Sequence, residues 1–472
     1  MKGKLVPTTR VAAAVLAAAL VAGACGSRRS LQEISAASLA VVAEGGGSAI
    51  APSTATPHDA DPGDESATID GDASTSDGDA STSGSMEANV AAPVRTPDSP
   101  AASAQAIEET GEIVVATIGN YSGIPGAVFG EAGPALQAWT RWVNERGGIG
   151  GQRVRALVYD DAGDTSRHLT MVRQAVEQDG VVAFVGSYAP LTGHTSLDYL
   201  NDRRIPTVGG LTADPWMATS PMHYPQFAAS RGYQMIQSAA TVAAARADGV
   251  TRFGFIACVE ATTCKESVPT WRAQVTSMGM EAVYEGQASL AQPDFTAECL
   301  AARDRDVEVF MISLDGAATR RLMASCRRQG YTPIPMVGQE AHERALSDDP
   351  NMDGLTGGLA TYPFFLDGLA AGRGVREAAL RYLGGVDNFA VVSGVFVSGL
   401  LLERALRDTT GAVTSPAIVD GLHTLRGDDL GGLTAPLTFR PNEGHQQPVC
   451  YFLLRLIDGH YTSPDGGQRH CI

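Results

Sequence analysis

The chain has 472 residues, 44% hydrophobic and 18% charged, with a formal net charge of −17 at pH 7. That is enough chain for two or three domains, and no basic patch or Lys/Arg-rich run suits a nucleic-acid partner. The acidity is uneven: residues 26–111 hold 14 Asp/Glu against 3 Lys/Arg, so most of it says little about a binding site.

Lys2, Lys4 and Arg10 precede an apolar run from Val11 to Val21, and Ala22-Gly23-Ala24 leads into Cys25. A charged head, a short apolar middle and a small-residue cleavage site predict a secretory signal over residues 1–24. The run is too short for a stable membrane span. Cys25 at the cut resembles the lipobox of bacterial lipoproteins, which implies lipidation of Cys25 and an anchor in the membrane. An ordinary signal peptide that happens to contain a cysteine is the alternative. Either places the protein outside the cytoplasmic membrane.

Residues 25–111 then read as an acidic linker. Asp-Gly-Asp-Ala-Ser-Thr-Ser occurs in tandem at 70–76 and 77–83, and the segment has too few bulky apolar residues to offset the entropy of ordering. Its Asp-x-Asp spacing lacks the closing Glu of a calcium loop. With Cys25 set aside, six cysteines remain, an even set for an oxidising compartment. Chain order favours Cys258–Cys264, Cys299–Cys326 and Cys450–Cys471, although six cysteines permit 15 connectivities. No C-x2-C spacing supports zinc, and no metal is expected.

Order begins at Glu112. Strands are predicted at Ile113–Ile118, Val154–Tyr159, Val181–Val185 and Ile205–Val208, with helices at 132–146 and 166–178 and a loop from Ser187 to Thr195 leading into another. The alternation repeats, with strands at Phe253–Ala257, Glu281–Glu285, Val307–Ser313 and Ile334–Val337 and helices at 265–278, 295–303 and 317–329. Strands alternating with helices of this length predict βαβ units and parallel sheets. Beyond residue 356 come Gly358–Tyr362, helices at 389–407 and 415–425, and strand-like Leu437–Phe439 and Val449–Ile457. The fold class is α/β, with two similar parallel-sheet lobes.

Several segments carry a family resemblance: Phe-Gly-Glu-Ala-Gly at 129–133, Val-Asn-Glu-Arg-Gly-Gly-Ile-Gly-Gly at 143–151, Tyr-Asp-Asp-Ala-Gly-Asp at 159–164, Phe-Val-Gly-Ser at 184–187, Asp294-Phe295-Thr296 and Arg328-Gln329-Gly330-Tyr331. In this order the chain resembles type I periplasmic solute-binding proteins of the branched-chain amino acid (Leu/Ile/Val) branch serving ABC importers, over about 112–472. The resemblance implies two lobes joined by a hinge: 112–228 with 356–432, and 229–355 with 433–472. In open α/β sheets ligands sit beyond the carboxyl ends of the strands, and hinge closure buries them. The loops there are 120–129, 186–195, 209–215, 257–264, 313–317 and 338–342.

Carried over by position, Phe129 would lie over the ligand side chain. Ser187 and Tyr188 fall in the loop that supplies a Ser to the ligand carboxylate. Pro190 stands at that Ser position, and Thr192 is a possible substitute. Leu211 suits a backbone contact, with Thr212 beside Ala213 where the family has Thr. Asp315 or Leu314 falls at an aromatic or polar contact. Glu340, or Gln339 one register away, falls where an acid meets the ligand ammonium.

Asp160-Asp161 could suggest acid–base catalysis, but the family position braces a turn. No G-x-S-x-G, Walker or H-E-x-x-H motif occurs, and a disulfide accounts for Cys258 better than a thiol nucleophile does. The expected protein is not an enzyme and needs no cofactor. It binds a small polar solute and delivers it to a permease in the cytoplasmic membrane. A ligand-sensing lipoprotein acting on a membrane receptor is the alternative.

Overall fold

A computed structural model describes residues 111–472 other than Ala261. The signal segment, Cys25 and the acidic linker lie outside the described residues.

The first sheet is built from β1 (Ile113–Gly119), β2 (Val154–Asp160), β3 (Ala183–Ser187), β4 (Thr207–Gly210) and β5 (His223–Tyr224). They pair in the order β2-β1-β3-β4-β5, all parallel. All seven residues of β1 are buried, as a parallel strand covered on both faces requires. The second sheet holds β6 (Arg252–Cys258), β7 (Glu281–Ala288), β8 (Val309–Ser313), β9 (Ile334–Val337) and β10 (Thr356–Leu359), parallel to one another. It is completed by β13 (Cys450–Ile457), antiparallel to β10, with β14 (His460–Thr462) and β15 (Arg469–Cys471) on the far edge of β13. A ribbon of β11 (Arg426–Asp428) and β12 (Leu437–Thr438) stands apart.

Helix Phe389–Ala405 explains how late sequence serves early sequence. It is apolar on nearly every face and buried almost throughout, the pattern of a helix enclosed by protein. Phe396 and Leu401 join the core of Trp139, Val185 and Val208. The chain therefore crosses between lobes three times: after β5, after β10 and between β12 and β13. Two boundaries differ from the sequence reading. β10 pairs with β9 and β13, so 356–359 belongs to the second lobe. Leu437 and Phe439 pack in the first-lobe core, so the return comes after them rather than at 433.

The predicted strands and helices are present, with ends shifted by a few residues. Helices Arg231–Asp248 and Ala370–Leu383 were not predicted. The buried face of the first is mostly Ala, Ser and Gly, and the second carries Gly372 and Gly374 inside. Both therefore lack the bulky apolar rhythm that marks a helix. Among the described residues no helix is long and apolar enough to cross a membrane.

Three disulfides join Cys258 to Cys264, Cys299 to Cys326 and Cys450 to Cys471, the pairs that chain order favours. All lie in the second lobe.

Candidate functional site

Parallel strands bring their carboxyl ends to one side of each sheet, and the two lobes meet there. From the first lobe comes Tyr188, directly after β3 and 2% exposed. Its carbonyl accepts from Asn120 N at 2.9 Å. Gly119 permits this approach, because a Cβ there would lie 2.1 Å from that carbonyl oxygen. The Phe129 ring, ending helix Gly123–Phe129, lies 5.5 Å from the Tyr188 ring. Tyr121 adds a third aromatic, its hydroxyl 2.5 Å from Thr117 Oγ1.

From the second lobe comes Glu340, on the short 3-10 turn Gln339–Ala341 after β9. Tyr233, near the start of helix Arg231–Asp248, donates its hydroxyl to Glu340 Oε2. Gln339 Nε2 donates to Oε1 at 3.0 Å, and Gln339 Oε1 accepts from Ala360 N at 2.8 Å. Burial lifts the Glu340 carboxyl above the usual range, against hydrogen bonds from Tyr233 and Gln339. Tyr188 and Tyr233 are raised well above the ordinary tyrosine value, by burial first and then by the nearby Glu340 charge.

Asn388 holds this acidic loop against the first lobe. Its Nδ2 donates to Glu340 O at 2.7 Å and to Val128 O at 3.2 Å. Phe389 N donates to His342 O, and Arg344 N to Asp387 O. The Glu131 carboxylate accepts from the amides of Asp387 and Asn388.

The remaining sequence candidates are engaged within their own lobes. Ser187 Oγ accepts from Ile118 N at 3.2 Å. Leu211 N donates to Ser187 O at 2.9 Å. Thr212 is fully buried and donates to Ala228 O at 3.2 Å. Asp315 caps helix Gly316–Arg328 by accepting from Ala318 N at 2.6 Å. Thr192 departs furthest from the expectation. It is fully buried, donates to Asp161 Oδ2 at 2.7 Å and accepts from Asn120 Nδ2 at 3.0 Å.

Thr192 belongs to a buried network that sequence reading did not assemble. Asp161 Oδ2 meets His168 Nδ1 at 2.7 Å, and Oδ1 accepts from Asn120 Nδ2 at 2.5 Å and Gly163 N at 2.8 Å. Burial opposes the Asp161 charge, but hydrogen bonds led by His168 outweigh it and hold its carboxyl below the usual range. His168 Nε2 lies 3.1 Å from Ser196 Oγ. A Ser–His–Asp chain can activate a nucleophile. Here Ser196 is 2% exposed and donates to Gly193 O, so the chain ties the 188–196 loop to β2 and helix Thr165–Glu177. The recoverable signal is the seven-residue step from Asp161 to His168, across one turn and the first turn of a helix. Tyr233 and Asn388 carried no signal: Tyr233 meets Glu340 across 107 residues of sequence, and the role of Asn388 depends on where the lobes touch. Among the described residues no group of three His, Cys, Asp or Glu is placed to hold a metal.

The junction thus gathers the first-lobe aromatics Phe129 and Tyr188 and, through Asn388, the second-lobe turn that carries Glu340. Comparison with known proteins bears on the family and the fold. The periplasmic binding protein family model matches residues 112–460. No curated protein matches the sequence. Among solved structures, the Thermus thermophilus branched-chain amino acid ABC transporter protein with bound valine is 15% identical. It has a TM-score of 0.64 over 75% of this chain and 95% of that one. LivJ of Streptococcus pneumoniae in complex with isoleucine is 13% identical, with a TM-score of 0.61 over 76% and 99%. A fatty acid ABC transporter substrate-binding protein from Thermomonospora curvata is 15% identical, with a TM-score of 0.60 over 76% and 91%. The fold is thus shared by proteins with chemically different ligands. From the match over most of its length, this chain belongs to the periplasmic binding protein family.

Proposed function

We propose that the protein captures a small solute between its lobes outside the cytoplasmic membrane and hands it to the permease of an ABC importer. The observation that carries this reading is Asn388, which bonds Glu340 O of the second lobe and Val128 O of the first and so joins the strand-end loops of both lobes. A ligand held there touches both lobes and so favours their closed arrangement. Relatives named for valine and isoleucine complexes support an amino acid or related compound as ligand. Family members bind substrates rather than transform them. The layout around Cys25 supports a lipid anchor that would keep the protein beside its permease.

Two measurements test this. Solute released on denaturing the purified protein is identified by mass spectrometry, and its labelled form is followed into cells with and without the protein. Uptake that falls on removal and returns on restoration supports delivery, whereas uptake indifferent to the protein overturns it. Labelling with an alkyne fatty acid tests the anchor, and a Cys25→Ala variant that stays in the membrane fraction rejects it.

A further inference from the structure

We infer that Thr212 is a positioning residue: it couples occupation of the first-lobe loop 209–213 to the angle between the lobes and does not hold the solute with its hydroxyl. This rests on the reading of the cleft between the lobes as the solute site.

The loop is fixed at one end to the body of the first lobe. Gly210 N donates to Ser398 Oγ of helix Phe389–Ala405 at 3.2 Å, and Leu211 N donates to Ser187 O at 2.9 Å. Gly210 takes φ +103°, and a Cβ there would lie 2.2 Å from Ser187 O, so only glycine allows this approach.

At its other end the loop is tied to the first crossing between lobes, which runs from β5 to helix Arg231–Asp248. The Thr212 hydroxyl is fully buried and donates to Ala228 O at 3.2 Å, so it faces the crossing. Thr212 O accepts from Ser230 N at 2.6 Å. Gln226 Nε2 donates back to Gly210 O at 2.8 Å, while its Oε1 is buried without a partner. Stranding an acceptor is costly, which marks this tie as a placement kept against stability. Ala213 packs against the buried cores of both lobes.

Two features make the tie a transmission as well as a brace. The amides of Thr212 and Ala213 have no acceptor among the described residues. A polar group of the solute can therefore bond the loop at the very residues that hold the crossing. Ser230, where the crossing enters its helix, has φ +55° and ψ −122°. A residue persists in such a conformation only while its surroundings impose it, and the bond from Ser230 N to Thr212 O is one of those constraints. Any change of lobe angle must turn the backbone of the crossings. A shift of Thr212 on binding thus acts on backbone already held away from its preferred region.

The probes are L-valine, L-isoleucine and the small-molecule extract released by denaturing the purified parent protein. Calorimetry and thermal melting report binding. Small-angle scattering at saturation reports closure, and hydrogen exchange over residues 226–232 reports the crossing. For the isosteric Thr212→Val variant we expect binding about fivefold weaker, the worth of one neutral hydrogen bond. Its radius of gyration should change less on saturation than the parent's, and exchange in the crossing should no longer slow with probe. Thr212→Ser, which restores the hydroxyl, should recover all three. Gln226→Met cuts the tie to Gly210 and carries the same expectation should Thr212→Val fail to fold. A Thr212→Val protein that binds weakly yet closes fully at saturation is one whose hydroxyl held the solute, and it overturns the proposal while leaving the binding reading intact. So does one that binds and closes as the parent does. If no probe binds the parent, the binding reading fails and this proposal fails with it.

Discussion

The two lobes share a plan but are held together by different chemistry. The second lobe carries all three disulfides. The first has no cysteine among its described residues, and braces its ligand-side loops with the buried Asp161–His168–Ser196–Thr192–Asn120 network. Covalent braces act mainly by restricting the unfolded chain. A buried charged network acts only while every member is paired. The lobes should therefore fail under different insults, the first to acid and the second to reductant. Tryptophan placement lets each be watched. Trp139, Trp142 and Trp216 lie in the first lobe and Trp271 in the second, so a Trp271→Phe protein reports the first alone.

The largest break is expected at Asp161. Asp161→Ala strands His168, Thr192 and Asn120 without their shared acceptor and should cost about 3–5 kcal/mol. It should show in the first-lobe fluorescence transition, and an unchanged urea midpoint would mean the network contributes nothing. Next is the disulfide joining helices Thr296–Arg303 and Gly316–Arg328. Replacing Cys299 and Cys326 by Ala opens a loop with a sequence separation of 27 and should cost about 3.6 kcal/mol. Loss of the Cys258–Cys264 loop, separation 6, should cost nearer ~2.4 kcal/mol. Both effects should leave the first-lobe transition in place.

Acid sharpens the contrast. Burial, the leading cause, depresses His223 and His445 in the first lobe to about 4 and His342 in the second to about 3. These rings stay neutral in the folded state while the unfolded chain takes up protons. Stability should therefore fall as pH drops below about 6.5 toward 4, by on the order of 1–3 kcal/mol per ring. The depressed Asp161 carboxyl works in the same direction, its contribution being lost as pH falls through its folded value. Melting at pH 7 and pH 5 should lower the first-lobe transition more, and equal shifts would refute the asymmetry.

The smallest effect lies between the lobes. Ser230, entering helix Arg231–Asp248, has φ +55° and ψ −122°, a conformation that side chains rarely adopt. Ser230→Gly should stabilise by about 1 kcal/mol through relief of strain. Because Ser230 N donates to Thr212 O at 2.6 Å, the substitution also probes whether this junction sets the angle between lobes. Small-angle scattering with and without ligand reads that angle.

The alternation of β1 to β4 and β6 to β9 with helices was legible because each buried strand is a short apolar run bounded by glycine or turn residues. Glu340 was legible as an acid at a strand end. Thr192 was not placed by its sequence position, because its hydroxyl serves a carboxylate 31 residues away. Tyr233 and Asn388 were invisible for a similar reason. One lies on a helix whose small residues hide its period, and the other acts only where Glu340 of the opposite lobe reaches it. Local pattern reports what an element is, and contact across lobes decides what its side chains do.

The three crossings have a consequence for synthesis. Trp139 Nε1 donates to Glu403 Oε1 across 264 residues of sequence. The first sheet to leave the ribosome therefore waits for one of the last helices before its core can close. Such distant pairing slows folding, since loop closure precedes the contacts that reward it. No single cut in the chain yields a whole lobe: a fragment ending at residue 359 has β1 to β10 but neither helix Phe389–Ala405 nor β13. The second lobe lacks only its antiparallel edge at that point, whereas the first lacks part of its interior. The lobe that begins first thus cannot close its interior until most of the other has been made.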